Sequence, residues 1–121
     1  MDKNFDNDRP IYIQIVEKLR IAIINGYYPP GSKIPSVRDL SAFLKVNPNT
    51  LQKALSELED DKLIYTERTN GKYVTEDIKR INKEKEIIAS NIVNNFFNEM
   101  NKIGIKKTGV IKYLQDKGGI K

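Results

Sequence analysis

Asn49, Lys53 and Ser56 fall on one side of a predicted helix, flanked by Thr50 and Gln52, in the stretch Asn47-Pro48-Asn49-Thr50-Leu51-Gln52-Lys53-Ala54-Leu55-Ser56-Glu57-Leu58. These are short polar donors and acceptors with one cation, a set suited to base edges and phosphates rather than to making and breaking bonds. Covalent chemistry is poorly provided for elsewhere too. The chain has no Cys and no His, which removes thiolate nucleophiles, imidazole bases and Cys/His zinc sites. Its carboxylates form no spacing that suggests a paired acid and base. No catalytic residue, metal ligand set or cofactor is therefore expected.

The helix that must present these groups is well specified. Asn47 is a good N-cap acceptor, and Pro48 sits at N1, where its missing N–H costs nothing. Leu51, Ala54, Leu55 and Leu58 follow the i, i+3, i+4, i+7 spacing of a core-facing stripe. Before it, Ser36 as N-cap with Asp39 three residues on resembles a capping box and opens a short helix. Val37, Leu40, Ser41 and Leu44 of that helix face inward. Arg38 projects from its first turn, either as a solvated residue or as a phosphate contact.

With Lys45-Val46-Asn47 as the joint, the two helices form a helix-turn-helix pattern. Leu63–Glu67 then reads as a strand, Asn70-Gly71 as a hairpin turn, and Lys72–Thr75 as the returning strand. Helix, helix, helix, hairpin is the order of a winged helix-turn-helix. Arg68 and Lys72 near the hairpin tip either reach a neighbouring groove or are solvated charges on a closing hairpin.

The flanks are less specific. Residues 1–9, with three Asp and two Asn, predict a loose arm. Pro10 at an N1-like position opens a first helix with the stripe Tyr12, Ile15, Val16, Leu19, Ala22 and Ile23, and Gly26 is its stop. Ile13, Ile21 and Ile24 lie off the stripe, from compositional crowding or a subunit contact. Tyr27-Tyr28-Pro29-Pro30-Gly31 reads as a turn.

From Glu76 a long helical pattern runs to about Ile103, with Ile88, Ala89, Ile92, Val93, Phe96, Phe97, Met100 and Ile103 on a broad apolar face. Gly104 stops it. Thr108 is the expected cap of a short last helix with Val110, Ile111 and Leu114 on its apolar side, ended by Gly118-Gly119. A tail this short forms no independent core. It packs on a second copy of itself or back on its own winged domain, and the homodimer is the simpler solution. Ile88, Ile92, Val93, Phe96, Phe97, Met100 and Ile103 are the candidate dimerisation residues. The same face could line a small-molecule cleft, but dimer core suffices to explain it, and no constellation identifies an effector.

The expected fold class is thus mainly α with a small β-hairpin: an N-terminal arm (1–9), a winged helix-turn-helix domain (10–75) and a two-helix C-terminal dimerisation region (76–121). The net charge of +5 adds little, because residues 1–75 hold 11 Lys/Arg against 10 Asp/Glu, and residues 76–121 hold 10 against 6. Most of the excess therefore lies outside the helix that would meet DNA. No apolar run approaches the ~20 residues of a membrane span, and the N-terminus has no signal-peptide character. The absence of Cys suits a reducing cytoplasm.

The sequence resembles the GntR family of bacterial transcriptional regulators. The matching residues run from Gly31-Ser32-Lys33-Ile34-Pro35-Ser36-Val37-Arg38-Asp39-Leu40 through Val46–Leu55 to Leu58-Glu59 and Leu63-Ile64, closing at Gly71-Lys72-Tyr73-Val74. Pro10-Ile11-Tyr12-Ile13-Gln14-Ile15, the Asn47-Pro48-Asn49-Thr50 variant and the short tail are similar to the YtrA-like subfamily.

The resemblance implies a winged helix with a helical dimerisation tail, acting as a homodimeric repressor on double-stranded operator DNA. It places DNA contacts at Arg38, Asn49, Thr50 and Lys53, with Gly71 and Lys72 on the wing. Ser36 serves as cap and candidate phosphate donor, and Asn47, Gln52 and Arg68 complete the expected DNA-binding set. It also implies control of ABC-transporter genes. Two departures stand out. Thr69 replaces the usual first wing glycine, which implies a stiffer or reshaped tip. Lys53 replaces the frequent Arg and lacks its two-pronged donor geometry. The rival expectation is a winged-helix protein-interaction module, in which the acidic cluster Glu57, Glu59, Asp60 and Asp61 meets a basic partner.

Overall fold

A computed structural model describes residues 1–119. The elements are α1 (Ile11–Ile24), α2 (Val37–Leu44), α3 (Pro48–Asp60), β1 (Ile64–Glu67), β2 (Gly71–Val74), α4 (Ile78–Lys102) and α5 (Lys107–Lys117). They divide into two compact units, Met1–Glu84 and a second from Lys85 onward. The fold is mainly helical with one two-stranded antiparallel hairpin, a winged helix-turn-helix followed by C-terminal helices.

In the first unit the stripes fuse into one core. Ile15, Leu19 and Ile23 of α1 meet Leu40 and Leu44 of α2, Leu51, Leu55 and Leu58 of α3, and Ile64 and Val74 of the hairpin. Three ends are fixed by local chemistry. Gly26 follows α1 with φ +83°, the left-handed conformation that favours glycine at a helix end. Ser36 Oγ caps α2 by accepting from Asp39 N at 3.1 Å. Between α2 and α3, Lys45 takes φ 57° and Val46 N donates to Ser41 O at 3.0 Å, so the chain reverses within three residues.

Pro10 is the N-cap of α1 rather than its first helical residue, with an extended ψ of 135°. The cause is Gln14, almost fully buried. Its Nε2 donates to Arg9 O (2.9 Å) and Asp6 O (3.0 Å), and its Oε1 accepts from Asp6 N (2.7 Å). These bonds hold the approach to the helix extended. Residues 1–9, for which the sequence predicts a loose arm, are fastened by the same bonds, by Lys18–Asp2 (2.9 Å), and by Met1 and Phe5 packed against the core.

The segment after Gly31 is more than a turn. Val74 N donates to Ser32 O (2.9 Å) and Ile34 N to Lys72 O (2.8 Å), so Lys33 bridges Tyr73 on the outer edge of β2. The hairpin pairs Glu67 with Gly71, which makes residues 68–70 a three-residue connection. Asn70 N closes it on Glu67 O at 3.2 Å, and Gly71 follows at φ +107°, the glycine such a loop demands. Thr69 is not among the residues with positive φ, so a side chain there strains nothing.

The second unit contains the remainder of α4 and α5. Gly104 (φ +87°) ends α4, and Ile105 N returns to Met100 O at 3.0 Å. This tight reversal lets α5 start at Lys107 with Lys106 as its N-cap. Thr108 therefore lies inside the first turn and caps nothing, contrary to expectation. Val110 is fully buried, whereas Ile111 is exposed. Val110 and Leu114 line an apolar cleft of about 230 Å³ with Ile92, Val93, Phe96 and Phe97.

Candidate nucleic-acid interface

The candidate interface centres on the first two turns of α3. Asn47 Oδ1 accepts from Asn49 N at 2.7 Å, which satisfies one of the orphan donors of the helix start. Leu51, Ala54, Leu55 and Leu58 are buried to 1% exposure or less, and this fixes the rotation of the helix. Asn49, Gln52, Lys53 and Ser56 are consequently exposed, and Thr50 is half-buried. Asn47 spends its carbonyl oxygen on the cap and retains its amide donors.

Lys53 is not free-standing. Its ammonium lies 4.3 Å from the centroid of the Tyr12 ring, and Tyr12 donates its hydroxyl to Glu57 Oε1. That hydrogen bond to the carboxylate, with desolvation second, holds the Tyr12 phenol above its ordinary pKa of 10.0.

Arg38 is exposed on the first turn of α2. Ser36, Gly71 and Lys72 are brought together in a groove of about 270 Å³ that Lys33, Thr66 and Asn70 also line. Arg68 is exposed at the hairpin tip. Lys72 is half-buried: its Nζ donates to Glu59 Oε1 (3.2 Å) and Thr66 Oγ1 (3.0 Å). Thr66 also donates its hydroxyl to Glu59. These bonds, Thr66 first and then Lys72, outweigh burial and hold the Glu59 carboxyl below its ordinary 4.5.

Lys33 is a cation outside the expected set. It is exposed, and its Cε stands 3.3 Å from where a Cβ on Gly71 would lie. Its signal was the short alternation at Ser32-Lys33-Ile34, where only Ile34 faces the core.

The acidic cluster is largely engaged within the chain. Glu57 accepts from Tyr12, Glu59 from Thr66 and Lys72, and Asp61 from Arg20 at 2.7 Å. A basic protein partner would have to displace these contacts.

The candidate dimerisation residues lie in the second unit. Ile92, Val93 and Ile103 are 62%, 50% and 71% exposed, while Ile88, Phe96, Phe97 and Met100 are half-buried. Among the described residues no helix is long and apolar enough to cross a membrane, and no three His, Cys, Asp or Glu side chains gather as a metal site.

The arrangement offers exposed amides, a hydroxyl and an ammonium on one helix, with further cations on α2 and on the wing. It can hold a polyanion and read hydrogen-bonding edges. Residues 11–74 match the family described as bacterial regulatory proteins, gntR family. The HTH-type transcriptional repressor YtrA of Bacillus subtilis is 43% identical over 70 residues, 58% of this chain and 54% of YtrA. A GntR family transcriptional regulator from Listeria monocytogenes superposes with a TM-score of 0.86 at 45% identity, covering 93% of this chain and 98% of that one. AraR(DBD) in complex with operator ORX1 superposes with a TM-score of 0.55 at 27% identity, covering 60% of this chain and 93% of that one. The chain belongs to the gntR family of bacterial regulatory proteins, and is a winged helix-turn-helix transcriptional regulator, not an enzyme.

Proposed function

We propose that this regulator is a cytoplasmic homodimeric repressor that binds a palindromic operator upstream of its own operon, with ABC-transporter genes among its targets. The observation that carries the DNA-reading assignment is the capped start of α3, which holds Asn49, Gln52 and Lys53 outward while the opposite face is sealed in the core. YtrA, described as a repressor, and AraR(DBD), described in complex with an operator, support the same reading.

In this mechanism residues 10–75 form the reading head and residues 76–121 the dimerisation region. The two α3 helices enter successive major grooves, ~34–36 Å apart or a multiple of that spacing. Arg38, Lys53, Arg68 and Lys72 hold phosphates, and Asn49, Thr50 and Lys53 discriminate bases. Ser36, Asn47, Gln52 and Gly71 shape or line the contact surface. The exposed Ile92, Val93 and Ile103 support pairing of the second unit with its copy, joined by Ile88, Phe96, Phe97 and Met100.

The test is footprinting of the purified protein on the DNA upstream of its own operon. A symmetric protected site, lost steeply as salt rises, is the expected result. The absence of a protected site, or protection of a single half-site at saturation, would overturn the proposal.

A further inference from the structure

Lys53 and Glu57 are four residues apart on α3, the spacing at which lysine and glutamate of one helix ordinarily meet. Among the described residues they form no ion pair with each other. Tyr12, from α1, stands between them. Its ring takes the Lys53 ammonium at 4.3 Å, an attraction to the negative face of the π-system, and its hydroxyl is donated to the Glu57 carboxylate. The other Glu57 oxygen lies 4.0 Å from Arg20 Nη2. Both ends of the potential intrahelical pair are thus occupied by side chains of α1.

We infer that Tyr12 is a positioning residue for operator recognition, which keeps Lys53 from folding back onto Glu57 and so leaves its ammonium without a carboxylate partner and available to DNA. The inference rests on the reading of α3 as the DNA-contacting helix. The physical argument is one of competition. A π-face holds an ammonium without cancelling its charge, so DNA can draw it away or share it. A carboxylate at helical spacing offsets the charge and has to be displaced before phosphate or a guanine edge can take the ammonium. By accepting the Tyr12 hydroxyl, Glu57 is withdrawn from that competition. The aromatic ring also supplies a preferred direction to a flexible side chain, which lowers the ordering cost on binding.

Two measurements test this. In the free protein, the Lys53 ε-methylene protons should show an upfield ring-current shift by NMR in wild type and in Tyr12→Phe, and lose it in Tyr12→Leu. On operator DNA, Lys53→Ala should weaken binding about tenfold in the wild-type background. In the Tyr12→Leu background it should weaken binding by about threefold or less, because Lys53 is then already captured. Tyr12→Leu combined with Glu57→Gln should restore the larger effect of Lys53→Ala, a rescue that a merely structural role for Tyr12 does not predict. Thermal unfolding of each variant confirms that it folds. An absent ring-current shift in wild type, or an equal effect of Lys53→Ala with and without Tyr12, overturns the inference alone. A normal ring-current shift with no sequence-specific DNA binding overturns the proposed function and the inference with it.

Discussion

Lys72 on the wing donates to Glu59 on α3, with Nζ and Oε1 3.2 Å apart, so the wing is tied to the helix proposed to read DNA. This ion pair spans two elements and is reinforced by Thr66, yet Glu59 is partly exposed and solvent weakens it. Replacing Lys72 by Met should therefore cost only about 0.5 kcal/mol of stability in urea unfolding. Its effect on DNA should be broader: affinity falls alike for all sequences, and the slope of log K against log salt becomes shallower by about 1. A loss confined to one operator sequence would contradict this.

The same contact makes the wing sensitive to acid. The Glu59 carboxyl lies below its ordinary 4.5 because Thr66, then Lys72, hydrogen-bonds its charged form. A depressed folded-state pKa means that the stabilisation is complete above 4.5 and fades as pH falls through the lower, folded value. Glu59→Gln should thus be less stable than wild type at neutral pH, and the difference should shrink as the solution is acidified below 4.5. Paired unfolding curves across that range measure it directly.

The helix-turn-helix was legible in the sequence because several local signals agreed there. Asn47 and Ser36 are cap residues, Pro48 is a start signal, and the leucines of α3 repeat at helical spacing. Each was realised within one chain segment. The contacts that shape the site were not legible, because they join distant segments: Tyr12 to Lys53, Lys72 to Glu59, Lys33 to the edge of β2. Periodicity says which face is buried, not which partner it meets. Gln14 shows the same limit, since its side chain satisfies the backbone of the arm that the sequence alone leaves loose. Thr108 failed as a cap for a local reason: the reversal at Gly104 starts α5 one residue before it.

Asn49 is exposed at the start of α3 and is not engaged through its side chain in the cap. Its amide is therefore available to pair with an adenine edge. Asn49→Ala should leave folding unchanged and relax discrimination at one operator position by about 1–3 kcal/mol. Binding to a panel of single-base operator variants resolves this, and uniform weakening across the panel would assign Asn49 to the backbone instead.

Ile92 is 62% exposed on the second unit, where an apolar side chain gains nothing from water. If the second unit pairs with its copy, Ile92→Glu places a charge in that interface and should convert a dimer to a monomer in sedimentation analysis. The winged unit keeps its own core of Ile15, Leu19, Leu51, Leu55 and Leu58, so its unfolding signal should persist. Operator affinity should fall sharply, because two half-sites no longer bind as one.

Glu84 is the most demanding electrostatic position in the winged unit. Its side chain is 8% exposed and accepts from Arg20 Nη1 (3.1 Å) and Arg80 Nη2 (3.3 Å). Arg20 also meets Asp61 at 2.7 Å, and Arg80 Nε donates to Asp61 O at 2.9 Å. Burial works against the Arg20 charge, but Asp61 and Glu84 outweigh it and raise its pKa. The network ties α1 and the end of α3 to the first turns of α4, where Ile81 joins the apolar core. Removing the Glu84 carboxylate leaves the largely buried Arg80 guanidinium without its ion-pair partner, and Arg80 Nη1 already lacks a hydrogen-bond partner among the described residues. Glu84→Ala should therefore destabilise by about 2–3 kcal/mol, less than the full loss of a buried pair because Asp61 still neutralises Arg20. Glu84→Gln, which keeps an acceptor, should fall between Ala and wild type. A loss below about 1 kcal/mol for Glu84→Ala would show that water compensates the two arginines and that α4 is held by Ile81 instead.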